Sequence, residues 1–197
     1  MDIELSKEDL SFKKEVNDFL ELNKRKKDSD YFKWRFEWFE KAKEKGVAEA
    51  QYNLGVHYYT GVGVEQDFAQ AAKWFEKAAE QGLAEAQYNV GVMNDKGQGV
   101  QQDFKKAIEW YEKAAEQGHV EAQYLLGLVY ASGEGGVTQD YAEAMKWLRK
   151  AAEKGSEDAE DALERVAAKM SEFVLRDFLI QSDVQDLENL SKSIVLE

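Results

Sequence analysis

No cysteine and no proline occur among the 197 residues. Without cysteine there can be no disulfide framework, no thiolate metal site and no cysteine nucleophile, so packing alone must hold the fold together. The lack of proline, together with the lack of alternating apolar and polar residues typical of strands, favours an all-helical chain.

Long apolar runs are also missing, because no stretch is long enough to span a bilayer. The opening residues Met1-Asp2-Ile3-Glu4 lack the cationic region and apolar run of a secretory signal. We therefore expect a cytoplasmic protein with no membrane partner.

Positive charge is in short supply, with 26 basic residues against 39 acidic ones and a net charge of −13. Such a surface repels nucleic-acid phosphates and anionic membranes, and it favours basic partners through electrostatic steering. We therefore expect no nucleic-acid ligand. Solubility alone is the simpler explanation of the charge.

One octet is written three times, as AEAQYNLG at 48–55, AEAQYNVG at 84–91 and VEAQYLLG at 120–127. Each copy continues with a glycine-containing turn, an aspartate followed by an aromatic residue, a tryptophan, two alanines and a glycine. The octets start 36 residues apart, and an extra glycine lengthens the third copy to 37 residues. This period is typical of stacked two-helix units.

Each copy contains the signals of a helical hairpin. The first helix is predicted from about Ala48 to Thr60, and Gly61 is suited to the left-handed conformation that ends a helix. Asp67 is placed to cap a second helix that runs through Trp74 to Gly82. One hairpin cannot bury its own aromatic and aliphatic residues, so the copies should stack, with small residues such as Gly55 allowing close approach.

The combined signature resembles the Sel-one-like repeat family, which is related to the tetratricopeptide repeats. It reads A-E-A-Q-Y-x-L-G, then Y-x-x-G-x-G-V, then D-[FY]-x-x-A-x-x-W-[FYL]-x-K-A-A-E-x-G. The resemblance implies an all-α, α/α superhelical solenoid of antiparallel helix pairs. Family members usually have proline after G-x-G-V, whereas this chain has Glu65, Gln101 and Thr138, which leaves the turn less rigid.

The domain prediction follows from where the pattern is strong. Residues 1–46 are expected to cap the amino terminus with a degenerate first repeat, formed by helices at about 7–26 and 31–45. Three repeats follow at 47–82, 83–118 and 119–155, and 156–197 form a capping helix and tail. Glu164 replaces the packing glycine and should end the stack. A lid, an oligomer contact and a partner contact remain alternatives for 171–197, where Ser171 to Gln181 and a capping box at 182–185 suggest helices.

The first helices of such stacks line a concave wall that binds extended partners. With Leu54 facing the core at about 100° per residue, four positions in each first helix remain free. The predicted contact column comprises Glu49, Asn53, His57, Thr60, Glu85, Asn89, Met93, Lys96, Glu121, Leu125, Val129 and Ser132.

The predicted column changes from polar at the amino-terminal end to apolar at Leu125 and Val129, with a glutamate at each entrance. It would suit a protein or peptide with basic and polar residues at one end and an apolar anchor at the other. The alternative is that Leu125 and Val129 pack against residues 156–197.

Signals for chemistry are weak, so we predict no catalytic residues, no cofactor and no metal. The two histidines, His57 and His119, have no evident second catalytic group nearby in sequence. The S-x-x-K pattern at Ser11–Lys14 lacks its companion S-D-N and K-T-G motifs. The glycine-containing turns follow helices rather than strands, so they are not phosphate-binding loops.

The sequence therefore predicts a non-enzymatic interaction module. The resemblance implies an adaptor or regulator in signalling or complex assembly, in bacteria or eukaryotes. A bacterial immunity or antitoxin-type protein that covers a basic effector is the alternative. A β-lactamase-like hydrolase is the rival class, because a few proteins of this family are similar to such enzymes.

Overall fold

The computed structural model describes residues 47–174. The predicted amino-terminal helices at 7–26 and 31–45 lie outside the described residues, as do the predictions for 175–197. The chain divides into two compact units that meet in sequence between His119 and Val120, and each is described by itself.

The first unit contains four described helices of equal length, joined in two hairpins. They are α1 (Ala48–Thr60), α2 (Phe68–Glu80), α3 (Ala84–Lys96) and α4 (Phe104–Glu116). Each helix packs against the next one along the chain. The predicted bounds of the first helix agree with the structure at both ends.

The second unit begins with a third hairpin. It consists of α5 (Val120–Ser132), a 3-10 turn (Glu134–Gly136) and α6 (Tyr141–Ala152). A further helix, α7, begins at 157 and is described as far as 174. The described residues contain no strand, and the prediction of an all-α chain of helix pairs is confirmed.

The predicted helix ends are also confirmed. Gly61 follows α1 with φ 70°, and its N–H donates to His57 O. The Asp67 carboxylate accepts hydrogen bonds from Ala69 N and Gln70 N at 2.9 and 3.0 Å. Asp103 and Asp140 cap α4 and α6 in the same way, so one aspartate starts each second helix.

Close helix approach depends on the single glycine that ends each octet. A Cβ at Gly91 would lie 2.5 Å from Cε1 of Tyr111, which is too close for a real side chain. The equivalent Gly55 and Gly127 are held against Phe75 and Leu148 in the same way. Ala78 and Ala79 of α2 are buried, as the small-residue argument predicts.

The glutamine of each octet is buried, which the sequence argument did not foresee. Gln51 and Gln87 are each 5% exposed, and their Oε1 atoms accept hydrogen bonds of 2.7 Å from Gln81 and Gln117, just beyond the second helices. The buried amide thus ties the start of the first helix to the end of its own hairpin.

Candidate binding face of the first helices

Two members of the predicted contact column are core residues, and their assignment to an exposed column is corrected here. His57 is 6% exposed and Met93 is 1% exposed. His57 Nδ1 lies 2.6 Å from Val62 O, so that nitrogen carries the hydrogen and donates it to the carbonyl. Position 57 is only about 60° from Leu54 around the helix, and the turn after α1 folds over it.

The members at the helix ends are exposed. Thr60, Lys96 and Ser132 all lie in the last turn of a first helix. Thr60 Oγ1 donates to Val56 O at 2.8 Å, and Ser132 Oγ donates to Val129 O at 3.2 Å. Both hydroxyls are therefore bonded to their own helix, while the lysine extends into solvent.

Asn53 and Asn89 are half-buried, and the structure gives each of them a different partner. Asn53 Nδ2 donates to Glu49 O one turn earlier, at 2.6 Å. Asn89 of α3 lies close enough to the Tyr52 hydroxyl of α1 for its amide to lower the pKa of that phenol. The two first helices of this unit therefore adjoin through an amide and a phenol.

Tyr52 belongs to this site, although the contact column predicted from the sequence does not include it. Burial raises the pKa of Tyr52, the nearby amide of Asn89 lowers it, and the negative charge of Glu85 raises it. We call Glu49, Tyr52, Asn53, Glu85 and Asn89 the first-helix face. The repeated tyrosine of the octet was the available signal, because the same position recurs as Tyr88 and Tyr124.

The charge on the first-helix face is unbalanced at Glu85. This side chain is exposed, and within residues 47–174 no lysine or arginine forms an ion pair with it. By contrast, Glu76 on α2 is paired with Lys106 on α4 at 2.8 Å. Among the described residues, the face therefore offers a carboxylate without an ion pair near the Tyr52 phenol.

In the second unit, α5 carries the apolar members of the column. Leu125 and Val129 are half-buried, whereas their neighbour Leu126 is fully buried. Glu121 and Ser132 are exposed on the same helix. We call Glu121, Leu125, Val129 and Ser132 the α5 patch.

A second polar group lies deeper in the first unit, at Tyr111 of α4. The residue is 3% exposed, and its hydroxyl has no hydrogen-bond partner of acceptable geometry among the described residues. Burial raises the pKa of Tyr111, and the nearby carboxylate of Asp95 raises it further. Phe75 and Leu148 occupy the equivalent positions, so the hydroxyl is peculiar to this repeat.

We expect Tyr111→Phe to alter the alkaline stability of the protein. Folding raises the pKa of Tyr111 above its unfolded value of 10.0, so the folded state keeps a proton that the unfolded chain releases. Stability is therefore fully present below pH 10 and falls as the pH rises further, by about 1.4 kcal/mol per pH unit for each such group.

Chemical denaturation of wild type and Tyr111→Phe between pH 7 and pH 11 measures this effect. The stability of the variant should fall less steeply above pH 10 than that of the wild type. It should be no less stable at pH 7, because removing an unpaired buried hydroxyl avoids a cost of about 1 kcal/mol or more. Parallel stability curves for the two proteins would contradict this account of Tyr111.

The described part of the chain offers neither a metal-binding cluster nor a membrane-spanning helix. It contains no group of three or more histidine, aspartate or glutamate side chains arranged to hold a metal ion. None of its helices combines the length and apolar character needed to cross a bilayer.

His119 stacks on the ring of Tyr88 with centroids 4.5 Å apart.

Comparison with known families settles what the repeat is. The model of the Sel1 repeat matches residues 36–47, 48–83, 84–119 and 120–156, which together make up more than half of the chain. The chain belongs to the Sel1 repeat family. The resemblance drawn from the octet and its turns is confirmed, and each full match begins one residue after the predicted repeat boundary.

Solved structures with the same fold support the assignment. A protective antigen of uropathogenic Escherichia coli strains, which displays an SLR fold, is 44% identical with a TM-score of 0.63 over 65% of this chain and 27% of its own. A Sel1 repeat protein from Oxalobacter formigenes is 40% identical with a TM-score of 0.62, over 65% of this chain and 52% of its own.

The cysteine-rich protein B of Helicobacter pylori is more distant. It is 26% identical with a TM-score of 0.50, over 61% of this chain and 91% of its own. This Sel1 chain spans about a quarter and about half of the lengths of the first two structures. No curated protein sequence matches it.

Membership places the protein in a broad functional class. Sel1 repeat proteins are generally non-catalytic repeat scaffolds, and they commonly bind other proteins. Burial removes His57 and Met93 from the twelve-residue column predicted from the sequence, so ten of its residues remain candidates for contact with a partner.

Proposed function

We propose that this Sel1 repeat protein is a non-enzymatic adaptor or regulator that binds another protein through the first-helix face. The observation that carries the proposal is the proximity of Tyr52 of α1 to Asn89 of α3. It joins the polar side chains of two successive repeats into one surface, as recognition of an extended segment requires.

The chemistry of the face favours a basic partner segment. Glu85 is an exposed carboxylate with no ion pair among residues 47–174, and it lies near the Tyr52 phenol, whose ring is a suitable surface for a lysine or arginine side chain. A net charge of −13 adds long-range attraction for such a segment. In the second unit, the α5 patch is by itself a candidate apolar contact surface, through the half-buried Leu125 and Val129.

The test compares two charge reversals that change the net charge equally. Glu85→Lys alters the first-helix face, and Glu109→Lys alters an exposed position on α4. Partners captured from the native cell extract by the wild-type protein are identified, and the affinity of each purified partner is measured for all three proteins.

We expect Glu85→Lys to weaken binding at least about tenfold, because like charge then meets the basic segment. Glu109→Lys should stay within about twofold of wild type. Equal loss in both variants would indicate a general charge effect, and an unchanged Glu85→Lys would exclude this face as the binding surface.

An immunity or antitoxin-type role in a bacterial cytoplasm is the second candidate, favoured by the acidic charge and by neighbours from bacteria. In that case a basic toxin co-purifies with the protein, and binding weakens with added salt and in Leu125→Asp. A growth-rescue screen in which the protein neutralises no toxin would contradict this role. Turnover of activated ester or lactam substrates would instead support the hydrolase class.

A further inference from the structure

The second hairpin differs from the first at one pair of facing positions. In the first hairpin these positions hold Tyr59 of α1 and Phe75 of α2, whose ring centroids lie 6.4 Å apart. The equivalent residues of the second hairpin, 36 positions later, are Asp95 of α3 and Tyr111 of α4. A carboxylate and a phenol therefore replace two neighbouring aromatic rings.

The exchange leaves Phe104 without the ring contact that its counterpart has. In the first hairpin, the ring of Phe68 meets that of Tyr59 edge-on, with centroids 5.3 Å apart, and Phe68 is half-buried. Phe104 occupies the same place at the start of α4, where Asp95 offers it no ring. Among residues 47–174, Phe104 forms no contact with another aromatic ring, and it is 48% exposed.

The Tyr111 hydroxyl lies near the same place. The ring of Tyr111 covers Gly91, and Asp95 follows Gly91 by one turn on the same side of α3. The Asp95 carboxylate is close enough to raise the pKa of the phenol. The hydroxyl is buried and has no hydrogen-bond partner of acceptable geometry within the described part of the chain. Buried hydroxyls are normally paired, which points to a partner from outside these residues.

Asp95 carries a charge that the described residues do not balance. Its carboxylate is half-buried and forms no ion pair with a lysine or arginine of residues 47–174. Its main-chain oxygen accepts a hydrogen bond of 2.6 Å from Gln102, as the Tyr59 oxygen accepts one of 2.8 Å from Gln66. The backbone is therefore held alike in both hairpins, and the shorter aspartate leaves room where Tyr59 places its ring.

We propose that Asp95, Phe104 and Tyr111 form a second binding site, which takes the side chain of an arginine from a partner protein. The guanidinium group stacks on the exposed ring of Phe104 and donates hydrogen bonds to the Asp95 carboxylate. A remaining N–H donates to the Tyr111 oxygen and supplies its missing partner. The planar group with its five donors suits these three contacts better than the ammonium of lysine.

Charge and polarity select this occupant. An aromatic side chain from a partner would replace the missing ring, but it would cover Asp95 without supplying a cation. An acidic group would be repelled by Asp95 and by the net charge of −13. Asp95 also lies in the last turn of α3, where the helix dipole favours a cation.

The site is separate from the first-helix face. Glu85 lies in the first turn of α3 and Asp95 in the last, about 15 Å apart along the helix axis. The proposal therefore does not depend on binding at Glu85, which Glu85→Lys tests independently.

Titration of the protein with N-acetyl-arginine amide tests the site, followed through the aromatic NMR signals of Phe104 and Tyr111. A single side chain gives weak binding, so we expect both signals to shift with one dissociation constant of about 1 mM or more. N-acetyl-citrulline amide, which has nearly the same shape without the charge, is the matched ligand and should cause little shift.

Substitutions locate the binding. Asp95→Asn should weaken it at least about tenfold, because the charge-assisted hydrogen bonds are lost. Glu109→Gln removes an exposed charge elsewhere on α4 and should stay within about twofold of wild type. Asp95→Tyr with Tyr111→Phe rebuilds the residue pair of the first hairpin. This double variant should fold, as circular dichroism verifies, and it should no longer bind.

Three results would overturn the proposal. Equal shifts with the citrulline derivative would show that charge plays no part. Equal weakening in Asp95→Asn and Glu109→Gln would indicate a general attraction of the cation to an acidic surface. Unshifted signals of Phe104 and Tyr111 at tens of millimolar ligand would show that arginine does not bind at this site.

Discussion

Gly99→Ala should lower the free energy of unfolding by about 3 kcal/mol or more, although it adds only one methyl group. The residue has φ +71°, where an L side chain costs about 1 to 2 kcal/mol. A Cβ there would also overlap the carbonyl group of Phe68 and lie 2.7 Å from Ala69 N. Because these atoms are backbone at the start of α2, the helix itself must shift.

Gly82→Ala separates backbone strain from overlap. Gly82 has φ +93°, but a Cβ at this position meets nothing within 4 Å. Its substitution should therefore cost only the strain, about 1 to 2 kcal/mol. Urea denaturation of both variants measures the difference. Equal losses of stability would contradict the close contact between Gly99, in the turn between α3 and α4, and the start of α2.

Leu126→Ala should cost about 2 to 5 kcal/mol, whereas Leu125→Ala should cost about 1 kcal/mol or less. The two leucines are adjacent in sequence, but Leu126 is fully buried and Leu125 is half-buried in the α5 patch. Truncation of Leu126 leaves a cavity inside the third hairpin, and truncation of Leu125 removes only part of a surface contact.

Binding should show the opposite order from stability. If the α5 patch contacts the partner, Leu125→Ala weakens binding of the purified partner at a temperature where both variants are folded. Leu126→Ala should bind normally under those conditions. A larger stability loss for Leu125→Ala would mean that α5 is rotated relative to this description.

Much of the fold follows from local signals in the sequence. Gly61 and Asp67 mark a helix end and a helix start with little dependence on the rest of the molecule. The period of the octet then places Leu54 in the core and Gly55 against the second helix. The third repeat follows the same rules in spite of its additional glycine, because the insertion is absorbed by the 3-10 turn at Glu134–Gly136.

The candidate site was less predictable because it depends on contacts between segments. Helical angle alone placed His57 in the free column, whereas the structure buries it beneath the turn that follows α1. Tyr52 entered the site through Asn89, which belongs to the next repeat. No spacing within one repeat reveals such a contact. Met93 occupies in α3 the position that His57 occupies in α1, and it is buried in the same way. Helical angle alone therefore misplaced this position in both repeats.

The central claim is that the first-helix face binds the partner, and carboxylate footprinting tests it most directly. Exposed carboxyl groups are labelled with a carbodiimide and an amine, with and without the purified partner, and each site is quantified by mass spectrometry. Glu85 and Glu109 are both exposed and lie on α3 and α4, so they report on different surfaces. We predict that the partner suppresses labelling at Glu85 and leaves Glu109 unchanged. Protection of Glu109 with unchanged labelling at Glu85 would contradict the account.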